Sequence, residues 1–184
     1  MNKRFTLVRI DSEYIEIISD VFKGLCGHAI ECSYSNGYLE IFHRHDNINE
    51  IKSVLTSLEV DLDYKLLCYT STLSDDNRLQ EEKNIVLELL ESMNSGYYDL
   101  KSILLDSKKI NNKSRILKYI LFDTGITQEF IHEFAECNLN ASKAASKLYM
   151  HRNTVIYKLD RLIELTGFDL RSFIDMYILY SLIK

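Results

Sequence analysis

Five cations, Lys143, Lys147, Arg152, Lys158 and Arg161, crowd the stretch "NASKAASKLYMHRNTVIYKLDRL", which runs from Asn140 to Leu162 and holds a single acid, Asp160. Ser, Asn, Thr, Tyr and His are interleaved with them. Such a mixture suits a polyanion. Lysines and hydroxyls hold phosphate oxygens, an arginine fork donates to guanine O6 and N7, and an asparagine pairs bidentately with adenine. The chain as a whole is acidic, with formal net charge -5, so this local excess of positive charge is not a consequence of overall composition.

Spacing indicates the elements that must carry these side chains. A short helix over about Ala141–Leu148, capped by Asn140, puts Ala144, Ala145 and Leu148 on one side, where small residues let a second helix cross closely. A turn at Tyr149-Met150 follows, without the usual Gly. Val155, Leu159 and Leu162 then recur at i, i+4 and i+7, the inward stripe of a second helix. Two helices crossing steeply after a tight turn describe a helix-turn-helix. On the outward side, near the start of the second helix, stand Arg152, Asn153, Ile156 and Tyr157, the expected base contacts. Asn140, Ser142, Lys143, His151, Thr154, Lys158 and Arg161 are the expected phosphate contacts, the first three at a helix start whose N–H groups suit an anion. A solvated helical hairpin with lysines facing water is the competing reading.

The surrounding chain has 184 residues, 46% hydrophobic and 27% charged, the profile of an ordinary soluble protein long enough for a real core. No apolar run approaches a membrane span. The basic tip of "MNKRFTLVRIDSEY" is followed too soon by acids for a secretory signal, so a cytoplasmic protein is expected. Residues 1–100 hold 9 Lys/Arg against 18 Asp/Glu, net -9; residues 101–125 hold 6 against 2, net +4; residues 126–184 hold 7 against 7, net 0. An acidic module joined to one that meets a polyanion fits this asymmetry.

The first part alternates element types. "RFTLVRI" reads as a strand. "SEYIEIISDVFKGL" reads as a helix with Ser12 as its cap. "HAIECSYSNGYLEIFH" reads as a hairpin turning at Asn36-Gly37, and "NINEIKSVLTSLEV" as a second helix. "YKLLCYTSTL" is a further strand. The order βαββαβ predicts an α+β domain with helices on one face of the sheet. A helix over about 75–93 follows, and "NSGYY" interrupts it. "DSKKINNKS" is the linker candidate. The expected organisation is an α+β regulatory or dimerisation domain over 1–105, a linker over 106–114 and an all-α helix-turn-helix domain over 115–184. Its helices would be "TQEFIHEFAECN", capped by Thr127, the two described above, the second stopping at Gly167, and "DLRSFIDMYILYSLIK", with Leu170, Phe173, Ile174, Tyr177, Ile178 and Leu182 inward.

Other reactive residues carry little. Cys26, Cys32, Cys68 and Cys137 show no CxxC pair and read as reduced, mostly buried thiols. "HRHD", His43 to Asp46, could ligate a metal but reads as a polar loop. His28 and His132 stand alone and read as locally satisfied. No Gly-rich phosphate loop and no activated nucleophile is evident. The expectation is no enzyme, no metal and no cofactor.

"NLNASKAASKLYMHRNTVIYKLDRLIELTGFDL" resembles the C-terminal DNA-binding domain of the PucR/CdaR family of bacterial transcriptional regulators. Met150, His151, Arg152, Asn153 and Thr154 match its hydrophobic–His–Arg–Asn–Thr step. Ile163, Glu164, Leu165, Thr166 and Gly167 match its helix end. "YILFDTGITQEFIHEF" is similar to the segment leading in, so the resemblance covers roughly 115–184. It is similar also to the Fis-type helix-turn-helix. The resemblance implies Arg152 at a base edge and Asn140, Ser142, Lys143 and Thr154 at phosphates. Where this chain has Ile156 and Asp160 the family usually has basic residues, which implies a different base preference. A degenerate cyclase-like α+β domain often precedes this part in the family, and residues 1–73 fit it loosely, without the Gly-Gly-acid-acid-Phe signature.

The expected function is therefore sequence-specific binding of double-stranded DNA by a transcriptional regulator, as a homodimer. Its recognition helix would span about Arg152–Thr166. The rival is a protein-interaction module that keeps the helix-turn-helix as a scaffold and binds a regulatory protein through the acidic N-terminal domain or the helix over 78–92.

Overall fold

The computed structural model describes residues 3–27, 30–45, 47–72, 74–107 and 109–183. His28 and Asp46, weighed above as a lone histidine and a possible metal ligand, lie outside them. The chain divides into two compact units, Met1–Ser107 and Lys108–Lys184.

The first unit holds strand β1 (Arg4–Arg9), helix α1 (Ile15–Cys26), β2 (Glu31–Ser35), β3 (Tyr38–His43), α2 (Ile48–Asp61), β4 (Leu67–Thr70), α3 (Asp76–Leu90), β5 (Gly96–Tyr98) and α4 (Leu100–Asp106). The βαββαβ order is realised. Asn36 (φ 52°) and Gly37 (φ 79°) both take positive φ, as a two-residue hairpin turn between β2 and β3 requires. The sheet order is β2-β3-β1-β4-β5. All neighbours are antiparallel except β4 and β5, which run parallel with Leu67 opposite Gly96. Strand β5 falls within the "NSGYY" interruption. Three residues are too short for periodicity to report, and only pairing with β4 makes them a strand.

Helices cover both faces of this sheet, not one. On one face Val8, Leu39, Ile41 and Cys68 pack with Ile18 and Phe22 of α1 and Ile51, Leu55 and Leu58 of α2. On the other, α3 lies against Phe5, Leu7 and Tyr69, which are buried. There the Tyr69 hydroxyl donates to Glu82 at 2.5 Å and Lys83 pairs with Glu40 at 2.9 Å. Strand β1 is consequently buried at five of its six positions and hides the alternation a one-sided sheet would show. Ser12 does not cap α1. A 3-10 turn over Ser12–Tyr14 comes first, and the helix begins at Ile15 without a side-chain cap.

The second unit is all helical: α5 (Lys113–Leu121), α6 (Gln128–Glu136), α7 (Ala141–Lys147), α8 (Arg152–Thr166) and α9 (Phe173–Ile183). Thr127 caps α6, accepting from Phe130 N–H at 3.1 Å. Gly167 closes α8 in the left-handed region (φ 74°), its N–H reaching the Ile163 carbonyl at 2.8 Å. Of the residues expected inward in and before α9, Leu170, Ile178 and Leu182 are buried, and the other three are not. Phe173, Ile174 and Tyr177 are 77%, 54% and 58% exposed, while Met176, Ile178, Leu179 and Leu182 are buried against α5 and α6. The helix is apolar on nearly every side, so periodicity could not select its inner face.

Candidate nucleic-acid interface

Asn140 begins the site. Its side-chain oxygen accepts from the N–H groups of Ser142 (3.0 Å) and Lys143 (3.1 Å), which starts α7. Ser142 and Lys143 are exposed beside it. One turn on, Ala144 and Ala145 are buried, and α8 crosses against them through Val155, Leu159 and Leu162, all fully buried. The turn is held by Met150 N–H on the Ala145 carbonyl (2.9 Å), with Tyr149 in the left-handed region at φ 53°. A tyrosine thus takes the conformation that Gly usually supplies, at a cost of about 1 kcal/mol. Its ring is 98% exposed.

His151 caps α8: its Nδ1 accepts from Asn153 N–H at 3.2 Å, which leaves the ring proton on Nε2. Arg152, Asn153 and Thr154 then stand exposed on the first turn. Ile156 is half-buried, and Tyr157, 63% exposed, continues the same side one turn later. The first acid along this face is Asp160, and Arg171 pairs with it at 3.1 Å while also holding Asp169 at 2.8 Å. The negative charge on the helix is therefore countered from the segment that leads into α9.

The two cations on the flank of α8 are engaged within the protein. Lys158 Nζ donates to the Gly125 carbonyl. Arg161 donates from Nε to the Asp123 carbonyl and from a terminal nitrogen to the Asp123 carboxylate, both at 2.7 Å. The adjacent Asp123 raises the guanidinium pKa above its ordinary value. Lys147 likewise pairs with Glu133 of α6 at 3.1 Å, which draws the Glu133 carboxyl below its ordinary range. Asp123, Gly125 and Arg171 had no visible role in the sequence. Thirty-eight residues separate Asp123 from Arg161, and no local pattern joins residues so far apart. The structure thus brings Asn140, Ser142, Lys143, His151, Arg152, Asn153 and Thr154 to the start of the two helices, and Ile156 and Tyr157 to the next turn of α8. Lys158 and Arg161 are turned toward the α5–α6 loop.

Elsewhere, His43 is not part of a polar loop. It ends β3, buried to 2%, with Nε2 2.9 Å from the Thr6 hydroxyl. His45 meets Glu50 at 2.9 Å, and His132 stacks on Tyr180. Among the described residues no group of three or more His, Cys, Asp or Glu is placed to hold a metal ion, and no helix is long and apolar enough to cross a membrane. Cys68 and Cys137 are buried, Cys26 is half-buried, and Cys32 is exposed.

Residues 128–184 match the family described as the PucR C-terminal helix-turn-helix domain. The chain is 33% identical over 91 residues to the carbohydrate diacid regulator of Escherichia coli strain K12, across 46% of this chain and 24% of that protein. The chain therefore spans about a quarter of the length of this curated relative. Among solved structures it is similar to a regulator of polyketide synthase expression from Bifidobacterium adolescentis. The TM-score is 0.50 at 14% identity, covering 98% of this chain and 78% of that one. That likeness is one of fold.

Proposed function

From the match of residues 128–184 to the PucR C-terminal helix-turn-helix domain we propose that the protein is a DNA-binding transcriptional regulator whose helix α8 enters the major groove. The observation that carries this reading is the first turn of α8. There Arg152, Asn153 and Thr154 are exposed side by side, and the nearest acid on the face, Asp160, is paired with Arg171. Arg152 and Asn153 supply the two side chains best suited to reading guanine and adenine edges, with Ile156 and Tyr157 adding apolar contact one turn on. Asn140, Ser142, Lys143, His151 and Thr154 surround them with donors for phosphate oxygens, and Lys158 and Arg161 add positive potential at the flank. The curated relative is named a regulator, which supports the regulatory reading.

Two copies would read a symmetric operator with half-sites about 34 Å apart, so the working form is a homodimer in the cytoplasm. The first unit carries 10 Lys/Arg against 19 Asp/Glu, net -9, and the second 12 against 8, net +4. An acidic first unit weakens non-specific attraction to DNA and leaves binding to the second. That first unit would dimerise or receive the signal.

Fluorescence anisotropy tests this directly, with the chain's own upstream DNA and a random duplex pool over a salt series. Wild type is expected to bind with an affinity that falls steeply with salt. Arg152→Ala is expected to lose about 1–3 kcal/mol on the preferred sequence only. Absence of binding to any duplex at low salt sinks the reading, and pull-down for a protein partner then follows.

A further inference from the structure

We propose that the loop between α5 and α6 is a strut that fixes the roll of the recognition helix, with Asp123, Gly125, Lys158 and Arg161 as its positioning residues. Lys158 and Arg161 then serve DNA binding through this contact and not by touching phosphates. The proposal rests on the DNA-binding reading above.

Helix α8 is held from below by one apolar stripe, Val155, Leu159 and Leu162. A single stripe leaves rotation about the helix axis softly determined, because apolar contact has no direction. Hydrogen bonds do have direction. Three reach α8 from the loop: Lys158 to the Gly125 carbonyl, and Arg161 to both the carbonyl and the carboxylate of Asp123. They come from two positions nearly one turn apart on one flank, so together they oppose both roll and tilt.

The loop is built to hold its shape. Thr124 is 1% exposed; its hydroxyl donates to the Leu121 carbonyl at 2.8 Å and accepts from Ile126 N–H at 3.1 Å. Asp123 (φ 61°) and Gly125 (φ 71°) flank it in the left-handed region, and Ile126 is buried. A Cβ on Gly125 would lie 3.0 Å from Lys158 Nζ, a tight contact that the lysine end would have to shift slightly to relieve. By contrast Arg152 and Lys143, one on each helix of the motif, are exposed.

The full chain is used for the test, as wild type, Asp123→Ala, Arg161→Ala, the double variant and Arg161→Lys, with circular dichroism to confirm folding at the assay temperature. DNA affinity is read by anisotropy against salt. Asp123→Ala is expected to weaken binding about threefold to fivefold although it removes a negative charge near DNA, a loss on the scale of one surface ion pair. Arg161→Ala weakens it by a similar factor with an unchanged salt slope, and the double variant is no worse than either single. Arg161→Lys, which keeps the charge and loses the fork, weakens binding likewise. Tighter or unchanged binding by Asp123→Ala overturns the strut, as does a salt slope that flattens by roughly 0.9 in Arg161→Ala, the signature of one lost phosphate contact. Urea unfolding of the same variants needs no DNA. Coupled single effects are expected, and additive ones overturn the strut by themselves. Failure of wild type to bind any duplex instead overturns the DNA-binding reading.

Discussion

His43 is a histidine kept neutral by its surroundings. Its Nδ1 accepts from His45 N–H at 3.3 Å, so the proton sits on Nε2 and faces the Thr6 hydroxyl at 2.9 Å, which in turn meets the Thr70 hydroxyl at 3.0 Å. Burial, with Arg4 and His45 nearby adding like charge, pushes its pKa down from 6.5 to about 4. Between those values the unfolded chain binds more protons than the folded one, so the stability of the first unit falls as pH falls. From pH 7 to pH 5 the loss is about 2 kcal/mol. Urea denaturation at the two pH values measures it, and His43→Gln is expected to remove most of the difference. A tripeptide "HRH" after a strand says nothing of this. Thr6 lies 37 residues before it on β1 and Thr70 lies after it on β4, so the neutral state is a product of the sheet's register.

Helix α9 shows how an element can be legible while its orientation is not. Its run of apolar residues predicts a helix. It does not predict which residues α5 and α6 will cover, because nearly every turn offers an apolar candidate on each side. Leu179 is fully buried and Phe173 is 77% exposed. Leu179→Ala is expected to cost about 2–5 kcal/mol, and Phe173→Ala less than about 0.5 kcal/mol, by chemical denaturation. Equal losses would restore the face suggested by spacing. Helices α6 and α8 behave oppositely. Their polar faces are clear, so Phe130, Ile131 and Phe134 on one, and Val155, Leu159 and Leu162 on the other, point inward as their spacing requires.

The acid response expected of His43 belongs to the first unit, where that histidine is buried. Lowering pH from 7 to 5 is therefore expected to loosen Met1–Ser107 around the sheet. Hydrogen exchange resolved by segment measures this. Faster exchange in the strands β1, β3 and β4 is the expected result, and unchanged exchange there would exclude it. The net charges of -9 and +4 follow the same division. The asymmetry was readable from composition alone, because charge sums need no partner assignment, while its exact division between the units follows their boundary.

Several patterns that close within about ten residues were settled by the sequence itself, although the Ser12 cap was not among them. These are the caps Thr127 and Asn140, the Gly167 stop, the Asn36-Gly37 turn and the alanine crossing of α7 with α8. In each the interacting groups are neighbours along the chain, so backbone geometry brings them together whatever else folds. Other features waited for tertiary structure. They are the second helical layer on the sheet, the three-residue strand β5, the inner face of α9 and the capture of Lys158 and Arg161 by the α5–α6 loop. Each depends on groups tens of residues apart, whose meeting is decided by packing and directional hydrogen bonds once the helices have a common core. The sequence marked the cations of the helix-turn-helix, and the fold decided which of them face outward.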